Sequence, residues 1–189
     1  NPAPHVRSLH AYFPSLARFS DGELAVSFSL GQAFESADNR PFLYRSLDEG
    51  SSWAAVGAIP VEAEGRTTCA YCRLSVTRDD ELVAAVMRYD RSRTEYGLCN
   101  EENLGFVETE FLISRSADRG RSWSKPKPMS PPLVGPSFEL CCPVQILSDG
   151  RWLFPTSTWR GWDGSCPNGM KAVAFVSRDG GESWGEYLD

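Results

Sequence analysis

The sequence predicts an all-β fold, part of a β-propeller, from three observations. One turn, Ser-x-Asp-x-Gly-x-x-Trp, occurs three times. A second polar turn precedes each copy, and the apolar runs between the turns have the length of strands rather than helices.

The copies are Ser46-Leu-Asp48-Glu-Gly50-Ser-Ser-Trp53, Ser116-Ala-Asp118-Arg-Gly120-Arg-Ser-Trp123 and Ser177-Arg-Asp179-Gly-Gly181-Glu-Ser-Trp184, with aspartates 70 and 61 residues apart. The preceding turns, Asp21-Gly22, Asp79-Asp80 and Asp149-Gly150, join short apolar runs as β-hairpins do. Each repeat therefore reads as strand, turn, strand, variable loop, strand, Ser-x-Asp-x-Gly turn, strand, which is a four-stranded antiparallel blade. The expected blades cover about residues 11–62, 69–130 and 139–189 of a single partial propeller domain spanning 1–189, the third lacking its outer strand.

From first to second turn the repeats count 27, 39 and 30 residues, and the extra length lies between strands two and three. Loops that vary on a constant scaffold mark the functional face. The repeated turn is architecture: Ser and Asp bond backbone amides, Gly takes a left-handed conformation, and Trp covers the hairpin end.

At 189 residues and 41% hydrophobic, the chain can bury a substantial core. A net charge of −6 disfavours nucleic acid and gives no basic membrane patch. No apolar run approaches the roughly 18–20 residues of a membrane span. No signal peptide is visible, and a start at Asn1 reads as a processed or truncated chain. Of six cysteines, Cys69 and Cys72 form a Cys-x-x-Cys without a second such pair, so neither a metal nor a cofactor is expected. The even count permits three disulfides of undetermined pairing among Cys69, Cys72, Cys99, Cys141, Cys142 and Cys166.

The three turns resemble the Asp-boxes of bacterial neuraminidases, and the resemblance to the sialidase superfamily covers nearly the whole chain. It implies a six-bladed propeller, half of it present, completed by blades elsewhere in the protein or by a second copy. It also implies a retaining exo-α-sialidase acting on glycans, secreted or periplasmic, with the fragment alone inactive. A non-catalytic Asp-box propeller that binds carbohydrate or protein is the alternative, because Asp-box propellers serve several functions.

The family's first arginine, in an Arg-Ile-Pro motif, falls on Tyr12-Phe13-Pro14, so Tyr12 stands where a carboxylate-binding guanidinium belongs. Arg7 lies nearby upstream. The acid/base position falls in the loop Gly31–Arg40, where Asp38 has the family's residue type and Glu35 is the alternative. Arg88 and Tyr89, leaving the second strand of blade two, are expected to face the central axis and meet substrate, while Trp159 and Trp162, flanking Arg160 in blade three, suit sugar stacking or equally the capping of a blade. Glu139 matches a family glutamate loosely, two residues out of register. All six cysteines are expected on the mouth face, where disulfides would staple long loops.

Overall fold

The computed structural model describes residues 9–61, 63–135 and 137–189. In blade one, β1 (His10–Arg18), β2 (Leu24–Gly31), β3 (Arg40–Ser46) and β4 (Ala54–Ala58) pair in sequence order. Blade two repeats this with β5 (Thr68–Val76), β6 (Leu82–Asp90), β7 (Thr109–Ser116) and β8 (Lys127–Pro128). In blade three the inner strand is split into β9 (Ser137–Glu139) and β10 (Gln145–Ile146), both paired to β11 (Trp152–Trp159), followed by β12 (Ala172–Ser177) and β13 (Glu186–Leu188). The architecture is the all-β one expected. Glu186–Leu188 pair with Ala174–Val176, supplying the outer strand that the sequence reading leaves out of blade three.

Burial along the second strands explains their sequences. In β2, Ala25, Ser27 and Ser29 are buried against blade two, while Leu24, Val26 and Phe28 are half-buried on the other face. Blade two has a neighbour on each side, so Leu82–Tyr89 is buried residue after residue. In β11 the alternation returns, with Trp152, Phe154, Thr156 and Thr158 inside. A continuous apolar run thus marks the blade buried on both faces. One core, including Leu43, Ile59, Leu74 and Leu112, fills the seam between blades one and two. The other, including Met87, Phe111, Phe154 and Phe175, fills the next seam.

The Ser-x-Asp-x-Gly-x-x-Trp turn is a closed hydrogen-bond circuit, repeated with little change. In the first, the Ser46 hydroxyl donates to Asp48 Oδ1 at 2.8 Å and accepts from the Gly50 amide at 2.8 Å. Asp48 also accepts from the amide and hydroxyl of Ser52 at 2.8 and 2.6 Å. Ser122 and Ser183 repeat this last contact on Asp118 and Asp179. The serine before the tryptophan is therefore a motif member that the sequence reading passes over, although all three copies carry it. The serines, Ser52 and Ser122 first, hold Asp48 and Asp118 at about 2. Ser183 and Ser177 hold Asp179 lower still.

The box tryptophans seal seams rather than hairpin ends. Trp123 packs into the seam towards blade one and Trp184, 5% exposed, into the seam towards blade two. Trp53, on blade one, has no other blade beside it among the described residues and is 41% exposed. Gly120 and Gly181 sit in the same seams, meeting Leu43 and Arg115 of the adjacent blades. Gly120 has φ +87°, and a Cβ there would lie 1.9 Å from Leu43 Cδ2. Charge pairs lock the rim: Arg119 contacts Asp21 at 2.7 Å and Glu23, Glu23 also pairs with Arg45, and Arg115 pairs with Glu81 at 2.8 Å.

Two outcomes follow for stability. Gly120→Ala combines left-handed strain with overpacking and should cost about 2–4 kcal/mol. Gly150→Ala, at φ +89° with open space around it, should cost only about 1 kcal/mol. Equal losses in urea titrations would show that the seam yields to the extra methyl. Carboxyls depressed in the folded state stabilise it above their unfolded pKa, near 4, and that contribution disappears as pH falls towards about 2. The Tm should therefore fall through this window, and more gently in Asp118→Asn; a variant with the wild-type slope would contradict the assignment.

Candidate functional site

The starts of β1, β5 and β9 and the ends of β2, β6 and β11 open on one face, beneath the loops that follow the second strands. The blade-one loop is wound around Asn39, which is fully buried. Its amide nitrogen donates to the carbonyls of Ala33, Phe34 and Ser36 at 2.9, 3.0 and 3.2 Å. Gly31 leaves room for this amide, since a Cβ there would lie 2.3 Å from Asn39 Oδ1. Tyr71 donates to the Phe34 carbonyl at 2.7 Å and ties the loop to blade two. Asn39 organises the site and is absent from the sequence-derived candidates; an amide in a loop too long for a tight turn was the signal available.

So wound, the loop sets Phe34 and Glu35 against the blade-two loop. They line a cavity of about 670 Å³ together with Ser36, Arg91, Tyr96 and Gly97. Glu35 Oε2 accepts from the Leu98 amide at 2.9 Å and occupies the space that a side chain on Gly97 would need. Arg91 is 4% exposed, donates from Nη2 to the Tyr96 carbonyl at 3.1 Å, and leaves Nε and Nη1 without a hydrogen-bond partner. A buried guanidinium with two orphan donors is costly. Sequence reading includes Arg91 in a mixed charged loop, where nothing distinguishes it from Arg93, which is well exposed beside Glu95.

Of the two acid candidates, Glu35 reaches the cavity and Asp38 does not line it. Asp38 is exposed and accepts from the Gln32 amide at 3.2 Å. Partial burial raises its carboxyl, but hydrogen bonds from Ser36 and Gln32 outweigh that and hold it below the usual carboxylate range.

Arg88 and Tyr89 separate, because neighbours on a strand face opposite ways. Arg88 turns from the mouth to pair with Glu110 at 2.8 Å and donate to the Val61 carbonyl at 3.2 Å, tying the link from blade one to blade two. Tyr89 is buried and donates to Met87 Sδ at 3.0 Å. Burial pushes its hydroxyl, and that of Tyr71, far above the ordinary range. Neither phenol is suited to act as a nucleophile.

Trp159 and Arg160 serve loop docking. The indole donates to the Leu104 carbonyl at 2.8 Å and the guanidinium to the Asn103 carbonyl at 2.9 Å. Gly105 permits this contact, since a Cβ there would lie 1.9 Å from the Gly161 oxygen. Trp162 meets Tyr96 edge-on at 5.8 Å and stands beside the cavity wall.

Tyr12 sits at a β-bulge: Tyr12 pairs with Ser29 and Ser15 with Ser27, and Phe13 takes φ +54°. The bulge begins an aromatic chain across all three blades. Tyr12 meets Phe34 at 5.5 Å, Phe34 meets Phe13 at 5.4 Å, Phe13 meets Tyr71 at 4.4 Å, and Tyr71 meets Tyr89 at 5.6 Å. Phe106 continues it to Trp159 at 5.6 Å. Arg7 lies outside the described residues.

Glu139 holds the ladder place in blade three that Tyr12 holds in blade one, opposite Ser157 and Ser29 respectively. After Glu139 the strand bulges: Leu140–Val144, five residues, lie opposite only three, Phe154–Thr156, and pairing resumes at Gln145 and Leu153.

The cysteines do not gather as expected. Cys69 and Cys72, an odd number of positions apart, face opposite seams, and Cys72 lies 3.2 Å from the Ser27 hydroxyl. Burial pushes them up to about 11 and about 12. All six cysteines are free thiols. Among the described residues no cluster of metal-ligating side chains occurs, and no helix is long and apolar enough to cross a membrane.

No family model matches the chain, and no curated protein does. Solved structures do match. A Dyadobacter fermentans protein of unknown function superposes with a TM-score of 0.69 at 19% identity, over 96% of this chain and 55% of the other. A Hadza microbial sialidase gives 0.68 at 16%, over 92% and 36%, and a Penicillium chrysogenum α-L-arabinanase complexed with arabinobiose gives 0.62 at 17%, over 94% and 48%. The chain thus spans about half or less of each of these proteins, and what it shares with them is the β-propeller fold.

Proposed function

We propose that the protein is a glycan-acting propeller of the glycoside hydrolase kind, with its sugar site in the cavity between the blade-one and blade-two loops. The observation that carries this reading is the grouping in one cleft of the Glu35 carboxylate, the Arg91 guanidinium with two unused donors, and the rings of Phe34 and Tyr96, one face of Tyr96 being covered by Arg93 at 4.3 Å. Phe34 and Tyr96 are 51% and 46% exposed, and flat apolar rings of this kind stack on pyranose faces. A cavity of about 670 Å³ is of small-molecule size. The sialidase and arabinanase among the structural neighbours support a carbohydrate ligand, and a glycan substrate suits the secreted or periplasmic setting that we propose.

In this reading Glu35 donates the proton to the departing glycosidic oxygen, in place of Asp38, and Arg91 turns its buried Nε and Nη1 towards the cavity to reach substrate oxygens. For an exo-sialidase, Arg91 would supply the carboxylate contact that Tyr12 cannot make. A second reading, binding without cleavage, is favoured by Tyr12 and by the depressed carboxyl of Asp38.

Sialoside and arabinoside release by the protein should fall about 10²–10⁴-fold in Glu35→Gln and change only a few-fold in Asp38→Asn. Glycan binding without turnover in the wild type would select the second reading, and absence of both would overturn the proposal. Arg91→Met should keep or raise the Tm, because a buried unpaired charge is removed, and should weaken glycan binding about tenfold or more. A large loss of Tm with unchanged affinity in calorimetry would make Arg91 a packing residue.

A further inference from the structure

We propose that Cys141 and Cys142 form a vicinal dithiol site that is closed by small-molecule disulfides into a strained, reversible disulfide at the mouth of blade three. Both residues are exposed, and they occupy the bulge that divides the inner strand. Elsewhere on that strand ladder pairing fixes the backbone. Between Glu139 and Gln145 the ladder skips Leu140–Val144, so the peptide joining the cysteines is free to distort.

That freedom matters because consecutive Cα atoms lie about 3.8 Å apart, below the usual disulfide span of about 4.4–6.8 Å. A ring closed through one peptide bond is strained, and strained disulfides are the easily reduced ones. The same bond between residues fixed in a paired strand would meet the full stiffness of the sheet. Competing partners are poorly placed: Cys69 and Cys72 are buried in opposite seams, and Cys99 and Cys166 are held in the loops docked through Phe106 and Arg160. Adjacency also gives the pair a high effective concentration for each other.

In the reaction one thiolate of the pair attacks a sulfur of the small-molecule disulfide and expels a thiolate, which takes up a proton. The neighbouring thiolate then attacks the protein sulfur of this mixed disulfide, expels the second small thiol and closes the ring. Two protein thiols are oxidised to one disulfide while the reagent is reduced to two thiols. The product sits where Cys141 Sγ lies 3.6 Å from Ser157 Oγ, beside Glu139, whose carboxylate accepts from the same hydroxyl at 3.2 Å. Oxidation replaces two thiols at the register of Glu139 with a compact apolar ring, whether or not the mouth cleaves glycans.

The test uses reduced protein exposed to oxidised glutathione under native conditions, followed by intact mass and peptide mapping. The expected product is lighter by two hydrogens, with Cys141 and Cys142 linked in one peptide, resistant to alkylation and restored by mild reductant. Cys141→Ser and Cys142→Ser should each retain a glutathione on the remaining cysteine instead. Stable glutathione on both wild-type cysteines, continued alkylation of both, or a link to Cys99 or Cys166 would overturn the proposal. The wild-type measurement decides the matter even if a variant fails to fold.

Discussion

A four-stranded blade has two faces, and its apolar residues leave water only when another blade lies against them. That constraint sets the chemistry of each position. In blade one, small residues such as Ala25 and Ser27 line the seam because blade two comes close, and the polar ones find partners there, Ser29 donating to the Ala70 carbonyl at 3.0 Å. In blade two, both faces of Leu82–Tyr89 are buried. The box glycines answer the same constraint, for Gly120 meets Leu43 of the neighbouring blade where a side chain has no room.

Rigid seams free the opposite face for irregular loops. Each mouth loop is held by side chains that reach its backbone: Asn39 gathers the carbonyls of its own loop, Tyr71 adds a bond from the next blade, and Trp159 and Arg160 take the carbonyls of the long blade-two loop. Glu35 joins the first two loops through the Leu98 amide. The cavity is thus a gap between two tethered loops, and its shape depends on contacts distant in sequence.

This difference explains how far the sequence could be read. The Ser-x-Asp-x-Gly-x-x-Trp turns are legible because they are local circuits of side chain and backbone within eight residues, written three times. The blades followed from them. Arg88 and Tyr89 are misplaced because strand alternation sends them to opposite faces of the blade, one towards Val61 and one into the other seam, and only the ladder fixes that parity. Arg91 is invisible because its isolation depends on the fold of Thr94–Gly97 over it, and the ladder place of Glu139 depends on a two-residue bulge that the sequence does not mark. The cysteines misled because an odd spacing along β5 sends Cys69 and Cys72 into different cores.

The three box indoles occupy equivalent places and differ in what lies over them, from Trp184 at 5% exposure to Trp53 at 41%. They form a graded set of emitters within one chain: one shielded, one half-covered, one open to quenchers. A surface laid over Trp53 as blade two lies over Trp184 would dry it in the same way. The colour of that single indole would therefore register any such contact without a reagent at the mouth.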